Sequence, residues 1–271
     1  MTHLVTKLSN PRPGRPHFMK TTVIQSYRTD DQPTWMSTYL SSAEDWAATN
    51  NWDYSFRGDD IFDLVPPDLR EKFSTQIPLQ IDIARLLWAR NVLDNDTTVE
   101  RVIWLDADVF VFAPEVIHID PEVDFAVGRQ IWIQSGTGDE LRTYRQVHNA
   151  ILVINRSTPV LDFLIQTVLT LAGRHDGLAA PQFLGPKLLT ALHNIVGFSV
   201  IDSVGMVSPL VLRDLAAVDG PALTRLRSET KTPLGAVNLC SSYRDQTIDG
   251  ICCNDDLFEQ ATRTLKERGS F

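Results

Sequence analysis

Two patterns of apolar residues alternate along the chain. Short β-rich or continuous apolar runs, typical of buried strands, occur at 21–26, 52–56, 102–105, 124–133, 150–154 and 199–201. Helical spacing and helix-start signals predict helices at 34–50, 75–93 and 186–194, and one more directly after Thr158-Pro159. Strands that alternate with helices predict an α/β fold, with a mostly parallel central sheet flanked by helices.

The charge of the chain is unevenly distributed. The 271 residues carry a formal net charge of −9 and are 43% hydrophobic, which is enough for one large domain with an ample core. Residues 1–20 contain four Lys or Arg residues and no acidic residue, so they carry +4 and the other 251 residues carry −13. We interpret 1–20 as a basic, flexible tail and 21–271 as a single domain. Peripheral contact of the tail with an anionic membrane surface is the alternative.

Several classes of protein are excluded. An acidic chain is a poor non-specific binder of nucleic acid, because duplex affinity depends on Lys and Arg. No apolar run approaches the roughly 18 residues that a transmembrane segment needs, and the basic N-terminal segment lacks the apolar stretch of a secretory signal. Cys240, Cys252 and Cys253 are odd in number and lack zinc-ligand spacing. We therefore interpret them as packing residues of a cytoplasmic protein.

Asp106 and Asp108 carry the clearest chemistry. They stand between the apolar runs 102–105 and 109–112, so we expect them at the end of a buried strand. Residues i and i+2 of a strand project from one face, and ligands of open α/β sheets bind beyond the carboxyl ends of strands. A hard cation such as Mg²⁺ or Mn²⁺ relieves the repulsion between two neighbouring carboxylates. The alternative is an exposed acidic turn without a ligand.

The residues around this pair resemble a family. Segment 103–109 (IWLDADV) is similar to the DXD core of nucleotide-sugar-dependent glycosyltransferases of the GT-A fold. The closer resemblance is to the sugar-transferase group that includes yeast-type α-mannosyltransferases, α-1,4-galactosyltransferases and clostridial glucosylating toxins. Segment 81–85 (IDIAR) resembles the S-D-h-h-R helix that precedes the DXD in this group, where h is apolar, with Ile81 in place of the serine.

Three further segments match the group in the expected order, and a fourth departs from it. Segment 23–27 (VIQSY) resembles its first-strand I-H-Q-x-W pattern, and 148–150 (HNA) the segment that lines the donor sugar. Segment 185–190 (GPKLLT) resembles the T-G-P-x-x-h-T element. Segment 236–243 (AVNLCSSY) departs most, with Asn238 where the group has His and Tyr243 where it has Trp.

The resemblance implies a role for each matching residue. Asp106, Asp108 and Asn149 are implied to be catalytic, with Asn149 near the anomeric carbon, and Asp106, Asp108 and Asn238 to hold the metal. The donor-binding set comprises Gln25, Tyr27, Asp82, Arg85, Asp106, His148, Gly185, Ser242 and Tyr243. Tyr27 would stack on the base, and His148 would form part of the pocket wall. The polar stretch 134–147 is interpreted as a lid that keeps water from the activated sugar. Trp104 and Trp132 are interpreted as core residues.

The implied function is that of a GT-A-like catalytic domain in polysaccharide biosynthesis. With Mn²⁺ or Mg²⁺, it would move a hexose from a UDP- or GDP-linked sugar to a glycan, a lipid-linked glycan or a protein acceptor, with retention of configuration. Two alternatives remain open. One is a haloacid-dehalogenase-type phosphatase with Asp106 as nucleophile, although that class carries its motif on the first strand. The other is a non-catalytic module that binds nucleotide sugars.

Overall fold

The computed structural model of the protein describes residues 19–138, 140–180 and 182–271 of the chain. Its helices are α1 (Thr34–Thr49), α2 (Pro67–Lys72), α3 (Ile77–Asn95), α4 (Val160–Arg174), α5 (Pro186–Val196), α6 (Pro209–Ala216), α7 (Pro221–Glu229) and α8 (Asp255–Arg268). Its strands are β1 (Thr21–Ser26), β2 (Asp53–Arg57), β3 (Arg101–Leu105), β4 (Val109–Val111), β5 (Phe125–Ser135), β6 (Leu141–Asn155), β7 (Ser199–Ile201), β8 (Val204–Met206), β9 (Ala236–Asn238), β10 (Thr247–Ile248) and β11 (Ile251–Cys252).

The central sheet of the described residues has six strands in the order β2-β1-β3-β6-β5-β7. β1 runs parallel to both β2 and β3, and β5 runs parallel to β7. Only β6 runs in the opposite direction, because it pairs antiparallel with both β3 and β5. The predicted α/β fold with a mostly parallel sheet is therefore confirmed.

Apolar side chains cover both faces of this sheet. Val102 and Trp104 of β3 pack with α3 and α4 in one cluster, whereas Ile103 and Leu105 pack with α1 on the other face. A third cluster joins α6, α7 and α8 to the smaller sheet of order β4-β9-β8. The continuous apolar run of β3 is thus explained by burial on both of its faces, as is typical of a central strand.

The stretch 134–147, which we predicted to be a lid, has regular secondary structure, and its role as a lid stays a prediction. β5 extends to Ser135 and β6 already begins at Leu141, so most of this polar stretch belongs to an antiparallel hairpin. Its polar residues pair across the hairpin in register, for example Gln134 with Arg142. The outer part of this hairpin extends beyond the neighbouring strands, so one of its faces is solvated. Its sequence is therefore polar at alternate positions. Asp139 lies outside the described residues.

The predicted basic tail falls largely outside the described residues, because they begin at Met19. Lys20 is described, and its ammonium group donates hydrogen bonds to Asp96 and Thr98. None of the described helices is both long enough and apolar enough to cross a membrane. The three cysteines are free thiols, with Cys240 and Cys253 buried and Cys252 exposed, so the interpretation as packing residues fails for Cys252.

Candidate functional site

The two aspartates lie in a tight turn rather than on a strand. β3 ends at Leu105 and β4 starts at Val109, and the Val109 N–H donates to the Asp106 carbonyl at 3.1 Å to close the turn. The expected convergence of two carboxylates at the carboxyl end of β3 is present. The turn between β3 and β4 brings the two carboxylates together, and the side chain of Asn238 on β9 contacts both of them. The alternation of side chains along β3 does not produce this convergence.

The Asp106 carboxylate is held by two donors from its own side of the sheet. Its Oδ1 accepts the indole N–H of Trp104 at 2.6 Å and Nη1 of Arg85 at 3.0 Å. The Asp106 main-chain carbonyl accepts the amide of Gln25 at 3.1 Å. Asp106 Oδ2 makes only one long contact, at 3.5 Å from the Asn238 amide nitrogen, so it is the less engaged oxygen of the carboxylate.

Asp108 is fixed from the opposite side. Its Oδ1 accepts the Asn238 amide at 2.6 Å, and its Oδ2 accepts both the main-chain N–H and the hydroxyl of Ser241, at 2.8 and 2.9 Å. Burial, and then the negative charge of Asp106, raise the pKa of Asp108 to about 6. The raised pKa means that the hydrogen bonds to Asp108 do not fully offset the cost of burying its negative charge.

Asn238 on β9 bridges the two aspartates as a donor. Its Oδ1 accepts the N–H of Cys240 at 2.7 Å, which fixes the amide so that Nδ2 faces Asp106 and Asp108. The expectation that Asn238 ligates a metal through its carbonyl oxygen does not fit this arrangement, because that oxygen already has a main-chain partner. Among the described residues, no group of three or more His, Cys, Asp or Glu side chains has the geometry of a metal site.

Arg85 connects this pair to a second buried carboxylate. Arg85 lies on α3 with Asp82, and its guanidinium contacts Asp82 at 3.2 Å, Asp106 at 3.0 Å and the main-chain carbonyl of Asn149 at 2.8 Å. Its guanidinium also lies 5.0 Å from the ring centre of Trp104. One buried cation thus serves two carboxylates, and a third, Asp108, has no cationic partner in the described network.

Asp82 and Asn149 form the other half of the network. The Asn149 amide donates to Asp82 Oδ1 at 2.7 Å. Burial raises the pKa of Asp82 to about 6, against the opposing effects of Arg85 and Asn149. Gly185, just before α5, lies against both groups: a Cβ there would be 2.7 Å from the nearer Asp82 oxygen and 2.8 Å from the Asn149 nitrogen. A glycine is therefore required for the start of α5 to approach this pair.

These groups open into one cavity of about 650 Å³. Nine of the predicted site residues line it: Tyr27, Asp82, Arg85, Asp106, Asp108, Asn149, Asn238, Ser242 and Tyr243. The structure thus brings together residues that are up to 216 positions apart in the chain, from Tyr27 to Tyr243. Cavities of this size and mixed lining are typical of small-molecule sites.

Three predicted residues, Gln25, His148 and Gly185, do not line the cavity but lie behind it. Gln25 is fully buried between the Asp106 carbonyl and the Tyr54 hydroxyl, so it holds the turn in place. His148 is also fully buried, with Nε2 at 3.2 Å from the Val204 carbonyl oxygen. The expected place of His148 in the pocket wall is therefore wrong, because β6 directs its ring into the interior.

Sequence reasoning missed several residues that contact the site. Ser241, rather than its neighbour Ser242, binds Asp108 through both its main chain and its hydroxyl. Trp104 is buried as expected but also bonds to Asp106, a contact that its i−2 position on β3 could have indicated. Trp132 is half-buried and lines the cavity, 6.2 Å from the Tyr243 ring, so it is not a core residue. Arg28 also lines the cavity.

A second cavity, of about 500 Å³, lies between α1, β4 and α8. Hydroxyl groups of α1 and the side chains of Asp45 and Lys266 line it, together with aromatic residues of the segment 110–112. It contains none of the predicted site residues. The network around Asp106 is therefore the better candidate for a functional site.

Comparison with known proteins identifies the fold. No protein-family model matches the chain, and no curated protein matches it in sequence. The chain is similar to a solved glycosyltransferase involved in the glycosylation of the major capsid of PBCV-1, with 12% identity and a TM-score of 0.50 over 90% of this chain and 98% of that one.

Two more distant structures also match. Mouse xyloside xylosyltransferase 1 has 10% identity and a TM-score of 0.40 over 82% of this chain and 98% of that one. A197 from STIV has 13% identity and a TM-score of 0.29 over 64% and 78%. The similarity to the PBCV-1 enzyme shows that this chain has the fold of a glycosyltransferase.

Proposed function

We propose that the protein is a metal-dependent glycosyltransferase that transfers a hexose from a UDP- or GDP-linked sugar to a hydroxyl acceptor. The single observation that supports this most strongly is the pair Asp106 and Asp108 at the carboxyl end of β3, inside a cavity of about 650 Å³. This placement combines the fold of a glycosyltransferase with a negatively charged centre. A diphosphate would be repelled by that centre unless a divalent cation accompanied it.

The oxygen donors present fit Mn²⁺ or Mg²⁺, which prefer carboxylates and complete their shells with phosphate oxygens. Asp106 and Asp108 would hold the ion, with Asp106 Oδ2 as the least engaged oxygen. When bound, the ion would supply charge stabilisation for the departing diphosphate. Asn238 acts in this proposal as a positioning residue, because it orients both carboxylates through its amide.

The protein's own side chains divide the remaining work. The Arg85 guanidinium contacts both Asp106 and Asp82 and so fixes their relative positions. It would therefore also fix the position of the donor's diphosphate relative to that of its sugar. Asp82 and Asn149 offer hydrogen-bonding groups to the hydroxyls of the donor sugar, with Gly185 providing the space. Tyr27 is half-buried in the cavity wall with the Arg28 guanidinium 5.6 Å from its ring, a surface on which a base can stack.

Retention of configuration is the finer part of the proposal. The Asp82 carboxylate, the one nearest Asn149, has its Oδ1 bound by both Asn149 and Arg85, which lowers its reactivity as a nucleophile. These two bonds favour attack by the acceptor on the same face from which the diphosphate departs over a covalent intermediate on Asp82. Both routes retain the anomeric configuration, so the configuration of the product, read by NMR, tests retention itself: inversion would refute it.

The phosphatase alternative is not favoured. That class carries its nucleophilic aspartate after the first strand, whereas Asp106 follows β3, and the fold is that of a glycosyltransferase. The alternative of a non-catalytic module predicts that there is no turnover. Such a module would bind a nucleotide sugar without cleaving it, whichever acceptor is present.

The test measures thermal stabilisation by UDP and by GDP, each with and without Mn²⁺, followed by hydrolysis of a panel of nucleotide sugars. We expect one nucleotide to stabilise the protein only when Mn²⁺ is present. Asp108→Asn should abolish that stabilisation, whereas Asp94→Asn, on the exposed side of α3, should retain it. Equal stabilisation without metal, or phosphatase activity lost in Asp106→Asn, would contradict the proposal.

A further inference from the structure

The hairpin formed by β5 and β6 has two chemically different faces beyond the edge of the central sheet. Cross-strand register places Ile131 opposite Arg145 and Ile133 opposite Thr143 on one face. This face is covered by the protein: Ile131 and Ile133 are buried in the cluster that includes α6 and α7. On the same face, Thr143 accepts a hydrogen bond from Arg225 of α7, and Arg145 pairs with Glu229.

The other face carries a ladder of planar side chains. The register pairs its members as Gln130 with Gln146, Trp132 with Tyr144, and Gln134 with Arg142. The amide of Gln146 donates to Gln130 at 2.7 Å, which shows that the side chains of this pair meet on one face. We call these six residues the hairpin ladder. Exposure increases outward, from the buried Gln130 to Tyr144, which is 45% exposed.

The ladder is continuous with the candidate site. Trp132 lines the cavity, and its ring lies 6.2 Å from that of Tyr243. Tyr243 follows Ser241, whose hydroxyl binds Asp108, within one short turn of helix. A surface therefore runs from the carboxylates, past two aromatic rings, onto the outer half of the hairpin.

This combination of groups matches the chemistry of a carbohydrate. The faces of pyranose rings present C–H groups that pack on aromatic rings, while their hydroxyls pair with amide and guanidinium groups that both donate and orient. Residues two positions apart on one strand face are separated by about 7 Å, so Trp132 and Gln134 span more than one sugar ring. The ladder is uncharged except for Arg142, so it suits a neutral or acidic glycan better than a cationic partner.

We propose that the hairpin ladder binds the acceptor, and that this acceptor is an oligosaccharide of at least three units. Its terminal sugar reaches the cavity beside Trp132, and the preceding sugars lie on Tyr144, Gln134 and Arg142. This inference rests on the proposed function, since only a transferase has an acceptor, but the binding of a glycan to the hairpin ladder can be measured without turnover. Of the acceptors that a glycosyltransferase can use, the hairpin ladder favours an extended glycan over a single sugar or an apolar alcohol.

The probe is a printed glycan array, read with the fluorescently labelled full chain, followed by calorimetric titration of the strongest trisaccharide. We expect binding to trisaccharides and longer glycans and none to the corresponding monosaccharides. Tyr144→Ala and Arg142→Ala should each weaken the titrated affinity by about tenfold, because each removes direct contact area or donors. Arg145→Ala is the matched control: it removes an arginine of the same strand on the opposite face and should stay within about twofold.

The outcomes separate this inference from the proposed function. Nucleotide stabilisation with Mn²⁺, measured on the same variants, should be unchanged in all three. An array without any bound glycan overturns the inference, as does equal loss in Arg145→Ala. Loss of nucleotide stabilisation in Tyr144→Ala or Arg142→Ala would assign the ladder to the donor instead, and would also overturn it. Glycan binding without any response to nucleotides would refute the proposed donor chemistry and leave the ladder in place.

Discussion

His148 makes the stability of this protein depend on pH in a calculable way. Its ring is fully buried against Gly128, where even a Cβ would lie 2.1 Å from the imidazole. Burial lowers the pKa of His148 to about 4. Its Nδ1 accepts the Ala150 N–H at 3.1 Å, which requires the neutral ring. The folded protein therefore resists protonation at a position where the unfolded chain accepts a proton readily.

The direction of the effect follows from proton linkage. An unfolded histidine titrates near pH 6.5, so between that value and about 4 the unfolded state binds more protons than the folded state. The stabilisation from neutral His148 is complete above pH 6.5 and is lost as the pH falls through about 4. Between pH 7 and pH 5 the loss is about 2 kcal/mol, equivalent to roughly 5 °C in Tm.

Two carboxyl groups act in the opposite direction and must be separated from His148. The pKa values of Asp82 and Asp108 are raised to about 6, so the folded state binds more protons than the unfolded one between that value and about 4. They therefore add stability as the pH falls in this window. The pH profile of the wild-type protein is a sum of these terms, and only a comparison with a His148 variant isolates one of them.

The assay is urea denaturation of the wild type and of His148→Asn at pH 7, 6 and 5. Asparagine keeps an oxygen acceptor near the position of Nδ1 but does not titrate. We expect the variant to be less stable at pH 7, because it leaves space above Gly128, and this deficit to shrink by about 2 kcal/mol at pH 5. A deficit that is the same at all three pH values would refute the assigned burial of a neutral His148.

Three further variants test the network around the cavity. Gly185→Ala places a methyl group against Asp82 and should weaken binding of a nucleotide sugar by about tenfold while leaving the free nucleotide unaffected, as measured by titration. Arg85→Met leaves Asp82 and Asp106 without their cation and should cost about 3–5 kcal/mol in urea denaturation; a loss below 1 kcal/mol, about the value of a surface pair, would contradict the buried network. Asn238→Asp adds a third carboxylate, so it should lower Tm without metal and tighten the proposed Mn²⁺ binding; unchanged Mn²⁺ affinity would contradict the proposed metal position.

Much of the fold was predictable because its signals are local. The apolar run of β3, the i, i+4, i+7 spacing in α3 and the Gly-Pro start of α5 each lie within a few residues. The hairpin was missed because alternate polarity on a solvated arm resembles a loop when its partner strand is unknown. Cross-strand pairing, as between Gln134 and Arg142, identifies a strand, and no single segment contains that information.

The sequence by itself determined the chemistry available: two carboxylates beside a buried strand, and an aspartate and an arginine one helical turn apart on α3. Only the tertiary structure decided how these groups are arranged. It turned His148 away from the cavity, committed the Asn238 carbonyl to Cys240, and placed Trp132 in the cavity wall. The physical reason is that residue types and local periodicity specify what each segment can form. Contacts between segments more than a hundred residues apart, such as Asp108 and Asn238, depend on the packing of the whole domain.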